Sequence, residues 1–136
     1  MGRHYILQLW YSIWKRKVNI ACIIISIGVY CLNQLIFKRQ FKGIVGYFCK
    51  CHLNDLVCPL FFLAYAQILL IWVKYEVKTY IGLLFLGMSA GFVWEYLAPI
   101  INPKAVTDIY DLFCYFCGIQ IYYFFTIIEN RLSNSS

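Results

Sequence analysis

The sequence has little charge: only 13% of its 136 residues are charged, and six of them are acidic. Soluble domains carry about 25% charged residues, so this chain lacks the polar surface that a water-soluble fold of its size needs. Three prolines and eight glycines are too few for a collagen-like chain, and the low charge excludes a disordered chain or a charged coiled coil. A hydrophobic content of 62% and a mean hydropathy of +0.69 instead predict a membrane protein.

Four apolar stretches are long enough to cross a bilayer. A membrane helix needs roughly 20 mostly apolar residues, and an open sheet cannot span lipid because its unpaired backbone groups are too costly there. Basic residues or prolines bound each stretch. The predicted fold is therefore all-α, an integral membrane protein with four transmembrane helices at residues 18–37, 56–73, 79–101 and 109–128.

The two ends of the chain are predicted to lie outside the four-helix domain, which occupies residues 18–128. In the segment 1–17, apolar side chains between Ile6 and Trp14 recur at helical spacing. This pattern is typical of a short amphipathic helix that lies at the membrane interface, in the plane of the headgroups. Residues 129–136 are predicted to form a polar, solvated tail.

The basic residues flank the apolar runs, where cations orient membrane helices and contact anionic lipid heads. With four spans, seven Lys and Arg residues fall on the side of the N-terminus and five on the other side. The positive-inside rule therefore favours a cytoplasmic N-terminus in a multi-pass protein of the cell membrane. The bilayer, rather than a nucleic acid, is the expected partner of the net charge of +6.

Four of the six acidic residues fall at one membrane face, at the ends of the second, third and fourth spans. Glu95 is the most informative of them, because the helix dipole disfavours an anion near a helix C-terminus and a charge in mid-membrane costs about 2.5–3.5 kcal/mol. For the aspartates and Asn54, helix capping is an equally good explanation. The polar cluster expected at this face comprises His52, Asn54, Asp55, Glu95, Asp108 and Asp111.

Residue spacing predicts which way these side chains point. Gly87, Gly91 and Glu95 are four residues apart, so they share one face of the third helix. Gly87-x-x-x-Gly91 is also the small-residue pattern that lets two helices pack closely. Glu95 is therefore predicted to face the bundle rather than the lipid. The fourth helix carries a matching stripe of Asp108, Asp111, Tyr115, Gly118 and Tyr122.

Several carboxylates in a low-dielectric site cannot all be ionised without compensation. A divalent cation with oxygen ligands is one solution, and His52 as an additional ligand would make zinc or manganese suitable. A set of shared protons is the second, with Glu95 as a general acid or base. Ion pairing with Lys50 or Lys104 is the third. The hypothetical metal ligands are Asp55, Glu95, Asp108 and Asp111.

The string from Asp108 to Gly118, D-I-Y-D-L-F-C-Y-F-C-G, resembles the D-I-x-D-L…G signature of the VanZ-like membrane proteins. Lys50-x-His52 before the second span, and Glu95 near the end of the third span, are also similar to the pattern of that family. The resemblance covers about residues 50–118.

Two residues depart from the pattern, because Tyr110 and Tyr115 stand where the VanZ-like proteins usually have Asp and Asn. The resemblance implies a small polytopic membrane protein linked to the cell envelope and, in the namesake of the family, to glycopeptide-antibiotic resistance. It implies no particular mechanism.

The leading hypothesis is a carboxylate and histidine pocket at the external membrane face that acts on, or senses, an envelope lipid or glycan precursor. In its enzymatic form, the catalytic residues are Glu95, Asp111 and His52. The substrate-binding residues are Asn54, Asp55 and Tyr115.

Two other functions remain open. A non-catalytic partner or protective subunit would use the Gly87 and Gly91 face, with Gly118, to pack against another membrane protein as a homo- or hetero-oligomer. A small proton or cation carrier is the other alternative. One intramembrane acid and no repeat of broken helices fit a carrier less well.

Overall fold

A computed structural model of the protein describes residues 2–104 and 106–135, and these are helical apart from short connections. We number the α-helices α1 to α7 in chain order. A π-helical turn, Asn33–Phe37, joins α2 to α3. The α-helices of the described residues are α1 (Gly2–Lys15), α2 (Lys17–Leu32), α3 (Lys38–Gln40), α4 (Gly43–Cys51), α5 (Leu53–Trp72), α6 (Tyr80–Ile101) and α7 (Ile109–Ser135).

Among the described residues, four helical segments are long and apolar enough to cross a membrane, which confirms the prediction of an all-helical fold with four helices of this kind. The third of them coincides with the predicted span to within one residue. The other three are longer than predicted. The segments are Lys17–Gln40, Gly43–Trp72, Tyr80–Ile101 and Ile109–Ser135.

The second segment starts earlier than the predicted 56–73 because α4 leads into α5 across one irregular residue, His52. This residue has a φ of −121° and a ψ of −19°. Its N–H donates to the carbonyl of Phe48 at 2.8 Å, and its own carbonyl accepts from Leu56 at 3.0 Å. The helical hydrogen bonds therefore run past His52, although the backbone is locally distorted there.

The fourth segment extends through the predicted tail, since α7 is helical as far as Ser135. Glu129 shows the reason. Its carboxylate accepts the backbone N–H of Val18 at 3.1 Å and lies 3.7 Å from the guanidinium of Arg16. These long-range contacts hold the last turns of α7 against the start of α2.

α1 occupies the segment predicted to be interfacial, and most of its described side chains are exposed. It contacts the loop between α5 and α6, where the Nζ atom of Lys74 lies 5.3 Å from the centre of the Tyr5 ring. This cation–π contact helps to position α1 at the end of the bundle.

α5 packs against α2, α6 and α7, and α6 packs mainly against α7. The apolar core between these helices is small, and many large apolar side chains face outward. That distribution suits helices surrounded by lipid tails, which are as apolar as the side chains themselves. The fully buried core consists of Cys22, Leu60, Leu63, Ala64, Leu83, Ile119 and Tyr122.

Gly87 and Gly91 bring α6 against α7. A Cβ atom at Gly87 would lie 2.6 Å from the Cδ1 atom of Ile119, and one at Gly91 would lie 3.1 Å from the ring of Tyr115. Both glycines are buried in this contact. The face that a partner subunit would use is therefore covered by α7 of the same chain.

Gly118 brings α7 against α5. A Cβ atom at this position would overlap the carbonyl oxygen of Leu56 and the ring of Pro59. Only glycine permits this approach, and the approach places the first turns of α7 beside the first turns of α5.

The end of the bundle near α1 is held together by polar contacts. The side-chain amide of Gln67 donates to the carbonyl of Val77 and accepts the N–H of the same residue at 3.1 Å. Arg16 lies 2.7 Å from Glu76 in the same loop and also contacts Glu129. The two glutamates at this end, Glu76 and Glu129, therefore both have a basic partner.

Candidate functional site

Acidic side chains gather at the opposite end of the bundle, where α5 begins, α6 ends and α7 begins. The predicted convergence of separate helices at this end is present in the structure. We call this group the acidic cluster and define it as His52, Asp55, Glu95, Asp108 and Asp111.

The closest contact in the acidic cluster joins the Nδ1 atom of His52 to the Oδ1 atom of Asp111 at 2.8 Å. The two side chains are only 11% and 16% exposed. The rings of Tyr47, Phe48 and Tyr110 lie around the imidazole, with centroids 5.6, 6.2 and 6.2 Å away. Because both side chains are largely buried, the interaction between His52 and Asp111 is stronger than it would be in open solvent.

Asp55 and Glu95 extend the negative side of the cluster. The carboxyl group of Asp55 is within hydrogen-bonding reach of Asp111 and within electrostatic range of Glu95 and His52. Glu95 is 7% exposed, and its charged neighbours are Asp111 and Asp108. Glu95 thus faces the bundle, in the direction that the glycine spacing predicts. Carboxyl groups this close together must share a proton or a cation.

Asp108 has a structural role in addition to its place in the cluster. Its Oδ1 atom accepts the backbone N–H of Tyr110 at 3.0 Å, so it caps the start of α7. Capping does not explain Asp55, because no side chain caps the start of α5. The capping interpretation therefore holds for one aspartate of the cluster and fails for another.

Asn33, which the sequence pattern places in the first span without a role, supports the site from the π-helical turn that follows α2. It is 0% exposed, and its Nδ2 atom donates to the carbonyl of Cys49 at 2.8 Å and to the Oδ1 atom of Asn54 at 2.9 Å. Its own Oδ1 atom has no hydrogen-bond partner among the described residues. The sequence signal for this role is an asparagine inside an apolar run. These bonds hold the π-helical turn beside the irregular residue His52 and orient the amide of Asn54.

Tyr115, a predicted substrate-binding residue, is buried next to the cluster. Its ring packs on Gly91, and its hydroxyl donates to the Sγ atom of Cys58 at 3.4 Å. The hydroxyl is therefore already used within the protein, and Tyr115 contributes mainly packing and shape to the site.

The acidic cluster lacks the basic partners that would neutralise it. Among the side chains that the structure describes, no Lys or Arg lies within 4.0 Å of a carboxylate of the cluster. Lys50 and Lys104 are exposed, and the ion pairs expected as one alternative do not form. Four carboxyl groups thus face one imidazole, and an ionised cluster of this kind is unstable unless protons or a cation compensate it.

Three members of the cluster have the spacing of metal ligands. His52, Asp108 and Asp111 each offer one ligand atom, and the three atoms lie within 4.8 Å of one another. Ligands at about 2.1 Å from an ion are at most about 4.2 Å apart, so a small inward movement brings all three onto one ion. Asp55 and Glu95, also predicted as ligands, lie outside this set of three but beside Asp111.

A groove of about 470 Å³ adjoins the acidic cluster on the side that faces α2. Asp55 belongs to both, because its side chain lines the groove and also contacts Asp111. Large side chains line the outer part of the groove, among them Ile27, Phe61 and Trp94. We call this space the α2 groove.

A larger cavity of about 870 Å³ lies at the other end of the molecule, beside α1. Arg16, Glu76 and Glu129 line it and form ion pairs with one another. Lys74 and Lys78 also line this cavity, so each of its two carboxylates has basic residues nearby. Size alone does not make it the better candidate site.

Comparison with protein-family models, with curated proteins and with solved structures finds no match for this chain.

Proposed function

We propose that this multi-pass membrane protein uses the acidic cluster to bind a divalent cation and, through it, acts on or senses the head of a cell-envelope lipid or glycan precursor. The charge balance of the cluster carries the proposal. Its four carboxyl groups come from three helix ends and meet one imidazole, with no Lys or Arg within 4.0 Å among the described side chains. A divalent cation compensates this charge and also attracts anionic oxygen atoms of a ligand.

The residues of the cluster fit distinct roles. Asp108, Asp111 and His52 have the spacing to hold the ion. The two carboxylate oxygen atoms suit magnesium or manganese, and the imidazole nitrogen suits manganese or zinc. When bound, such an ion polarises a phosphate or sugar oxygen. Glu95 is buried beside Asp111 and is placed to accept or donate a proton. Asp55 connects the cluster to the α2 groove.

The distribution of basic residues supports an external position for the site. Seven Lys and Arg residues on the N-terminal side against five on the other side favour a cytoplasmic N-terminus. The acidic cluster lies at the opposite end of the bundle from α1 and would then face outward. An external site has direct access to envelope lipids and their glycan precursors.

The resemblance to VanZ-like proteins supports a cell-envelope role of the antibiotic-resistance type. His52, Glu95, Asp108 and Asp111 carry that resemblance, and the same four residues belong to the acidic cluster. These four residues come from separate parts of the sequence but lie together in the acidic cluster, as expected if they share one function.

Titration of the purified protein with Mn²⁺, followed by the paramagnetic resonance signal of the free ion, tests the proposal. We expect saturable binding by the unmodified protein and a loss of roughly tenfold or more in affinity for Asp111→Asn and for Glu95→Gln. Glu76→Gln is the matched control, because it removes a carboxylate at the other end of the bundle. If the unmodified protein binds neither Mn²⁺ nor Mg²⁺ nor Zn²⁺, the cation site does not exist.

The orientation is tested separately by labelling of single cysteines in intact cells with a membrane-impermeant maleimide. Asn102→Cys and Lys74→Cys, introduced after replacement of the exposed native cysteines, report on opposite ends of the bundle. We expect only the cysteine at residue 102 to react. Labelling of residue 74 instead would place the acidic cluster on the cytoplasmic side.

A further inference from the structure

We propose that the α2 groove binds the hydrocarbon chain of an amphiphile whose phosphate head reaches the acidic cluster from within the bilayer. The inference rests on the proposed function, because the cation at the cluster is what holds the phosphate. It adds the class of ligand and the route by which the ligand reaches the site.

The dimensions of the α2 groove fit the depth of one membrane leaflet. The groove follows α4 and α5 from Cys51 to Phe61. Ten residues of helix rise about 15 Å, and the hydrocarbon core of a bilayer is about 30 Å thick. The groove therefore extends from the end that carries the acidic cluster to about the middle of the bilayer.

The outer part of the α2 groove is open to the surroundings of the bundle. Ile27 and Tyr30 of α2, Phe61 of α5 and Trp94 of α6 line it, and all four are exposed large apolar side chains. For helices that cross a membrane, these surroundings are lipid tails. A hydrocarbon chain can therefore enter the groove sideways and replace another lipid chain without crossing water.

Most polar groups in the inner part of the α2 groove have partners within the described part of the protein, but the N–H groups of the Asn54 side chain do not. The hydroxyls of Ser26 and Tyr115 already donate within the protein. The oxygen of the Asn54 side chain accepts from Asn33, so its N–H groups are left without a partner among the described residues. Asp55 stands next to this donor and belongs to the acidic cluster.

The Asn54 amide and the neighbouring acidic cluster together select the head of the ligand. A phosphate oxygen accepts a hydrogen bond from the Asn54 amide, and a divalent cation held by His52, Asp108 and Asp111 would supply the positive charge that attracts the phosphate. A neutral head has no charge for the cation to attract. A water-soluble phosphate has no chain to fill the apolar part of the groove. An amphiphile with a phosphate head fits both the acidic cluster with its cation and the apolar part of the groove.

Native mass spectrometry of the protein released from detergent micelles tests the inference. The probes are dioleoyl phosphatidic acid and a polyprenyl phosphate in the presence of Mg²⁺, with dioleoylglycerol as the neutral comparison. Ile27→Trp fills the groove, and Ile24→Trp is the matched control, because Ile24 is exposed on the same helix but does not line the groove.

We expect both phosphate lipids to remain bound to the unmodified protein and to Ile24→Trp. Filling of the groove should lower retention by roughly tenfold or more, because the indole ring would occupy the space of the hydrocarbon chain. A preference for one of the two phosphate lipids identifies the kind of chain that the groove accepts. If Ile27→Trp is poorly folded, Ile27→Phe provides a smaller filling change.

The outcomes separate the inference from the proposed function. Equal retention of phosphate lipid by Ile27→Trp and Ile24→Trp would overturn the role of the groove, and so would equal retention of dioleoylglycerol by the unmodified protein. Mn²⁺ binding by Ile27→Trp should be unchanged, because Ile27 does not touch the acidic cluster. Absence of Mn²⁺ binding by the unmodified protein would instead overturn the cation site, and with it the proposed function.

Discussion

Replacement of Gly118 by alanine tests how closely α7 must approach α5. The added Cβ atom would overlap the backbone carbonyl oxygen of Leu56 and the ring of Pro59. Neither of these is the end of a flexible side chain, so the helices themselves must separate. Normal contact between carbon and its neighbours lies near 3.5 Å, and we expect α7 to move outward by roughly 1 Å.

The magnitude follows from two opposing effects. Overpacking of a close contact costs about 1–3 kcal/mol, and alanine is favoured over glycine in a helix by up to about 1 kcal/mol. The second effect offsets about 1 kcal/mol of the first, so we expect Gly118→Ala to lower the free energy of unfolding by about 0–2 kcal/mol. Gly87→Ala should cost less, because its Cβ atom meets the end of the Ile119 side chain, which can rotate away.

Gly28→Ala is the control for helix propensity. A Cβ atom at Gly28 has nothing within 4 Å, so this change should be neutral or stabilising by up to about 1 kcal/mol. The assay is thermal unfolding in detergent, followed by tryptophan fluorescence. An apparent Tm of Gly118→Ala equal to or above that of Gly28→Ala would refute the reasoning.

The displacement should also reach the acidic cluster. Asp111 lies two turns before Gly118 on α7, and its 2.8 Å contact with His52 depends on the position of that helix. We expect Gly118→Ala to weaken Mn²⁺ binding more than Gly87→Ala does. Equal affinities for the two variants would show that the approach of α7 to α5 does not control the site.

Three further changes test the contacts that hold the two ends of the bundle. Gln67→Leu leaves the backbone groups of Val77 unpaired, so we expect the free energy of unfolding to fall by about 1–3 kcal/mol and the loop between α5 and α6 to be cleaved faster by proteases. Unchanged cleavage of the loop would contradict this role of Gln67. Arg16→Gln removes the partly exposed pairs with Glu76 and Glu129 and should lower the free energy of unfolding by about 1 kcal/mol or less for each pair, with the difference in Tm disappearing at high salt. A difference in Tm that persists at high salt would mean that Arg16 acts through packing. Asn33→Ala removes the two hydrogen bonds of the Asn33 side chain and should lower the free energy of unfolding by about 1–3 kcal/mol. We expect faster hydrogen exchange near the π-helical turn. Exchange that rises equally along all of α2 would instead indicate a general loss of stability.

The apolar helices were predictable because their length and composition are local properties of the chain. α6 begins at Tyr80 and ends at Ile101, within one residue of the predicted 79–101. The end of α7 was not predictable in the same way. Residues 129–135 are polar, and their helix depends on the contact of Glu129 with Arg16, which is more than a hundred residues away in the chain.

The membership of the acidic cluster follows from the sequence better than its internal arrangement does. The glycine spacing predicts the direction of Glu95, because residues four apart share a helix face. The contact of His52 with Asp111 joins residues 59 positions apart and depends on the distorted backbone at His52. The support from Asn33 depends on a π-helical turn, for which the hydrophobic pattern contains no signal.

The contrast between the two ends of the bundle has a mechanical consequence. Near α1, opposite charges join the start of α2, the loop after α5 and the end of α7. At the other end, like charges repel one another across α5, α6 and α7. We therefore expect any separation of the helices to be greatest at the end that carries the acidic cluster. Neutralising a few negative charges there is expected to draw the helix tips together while the end near α1 stays still.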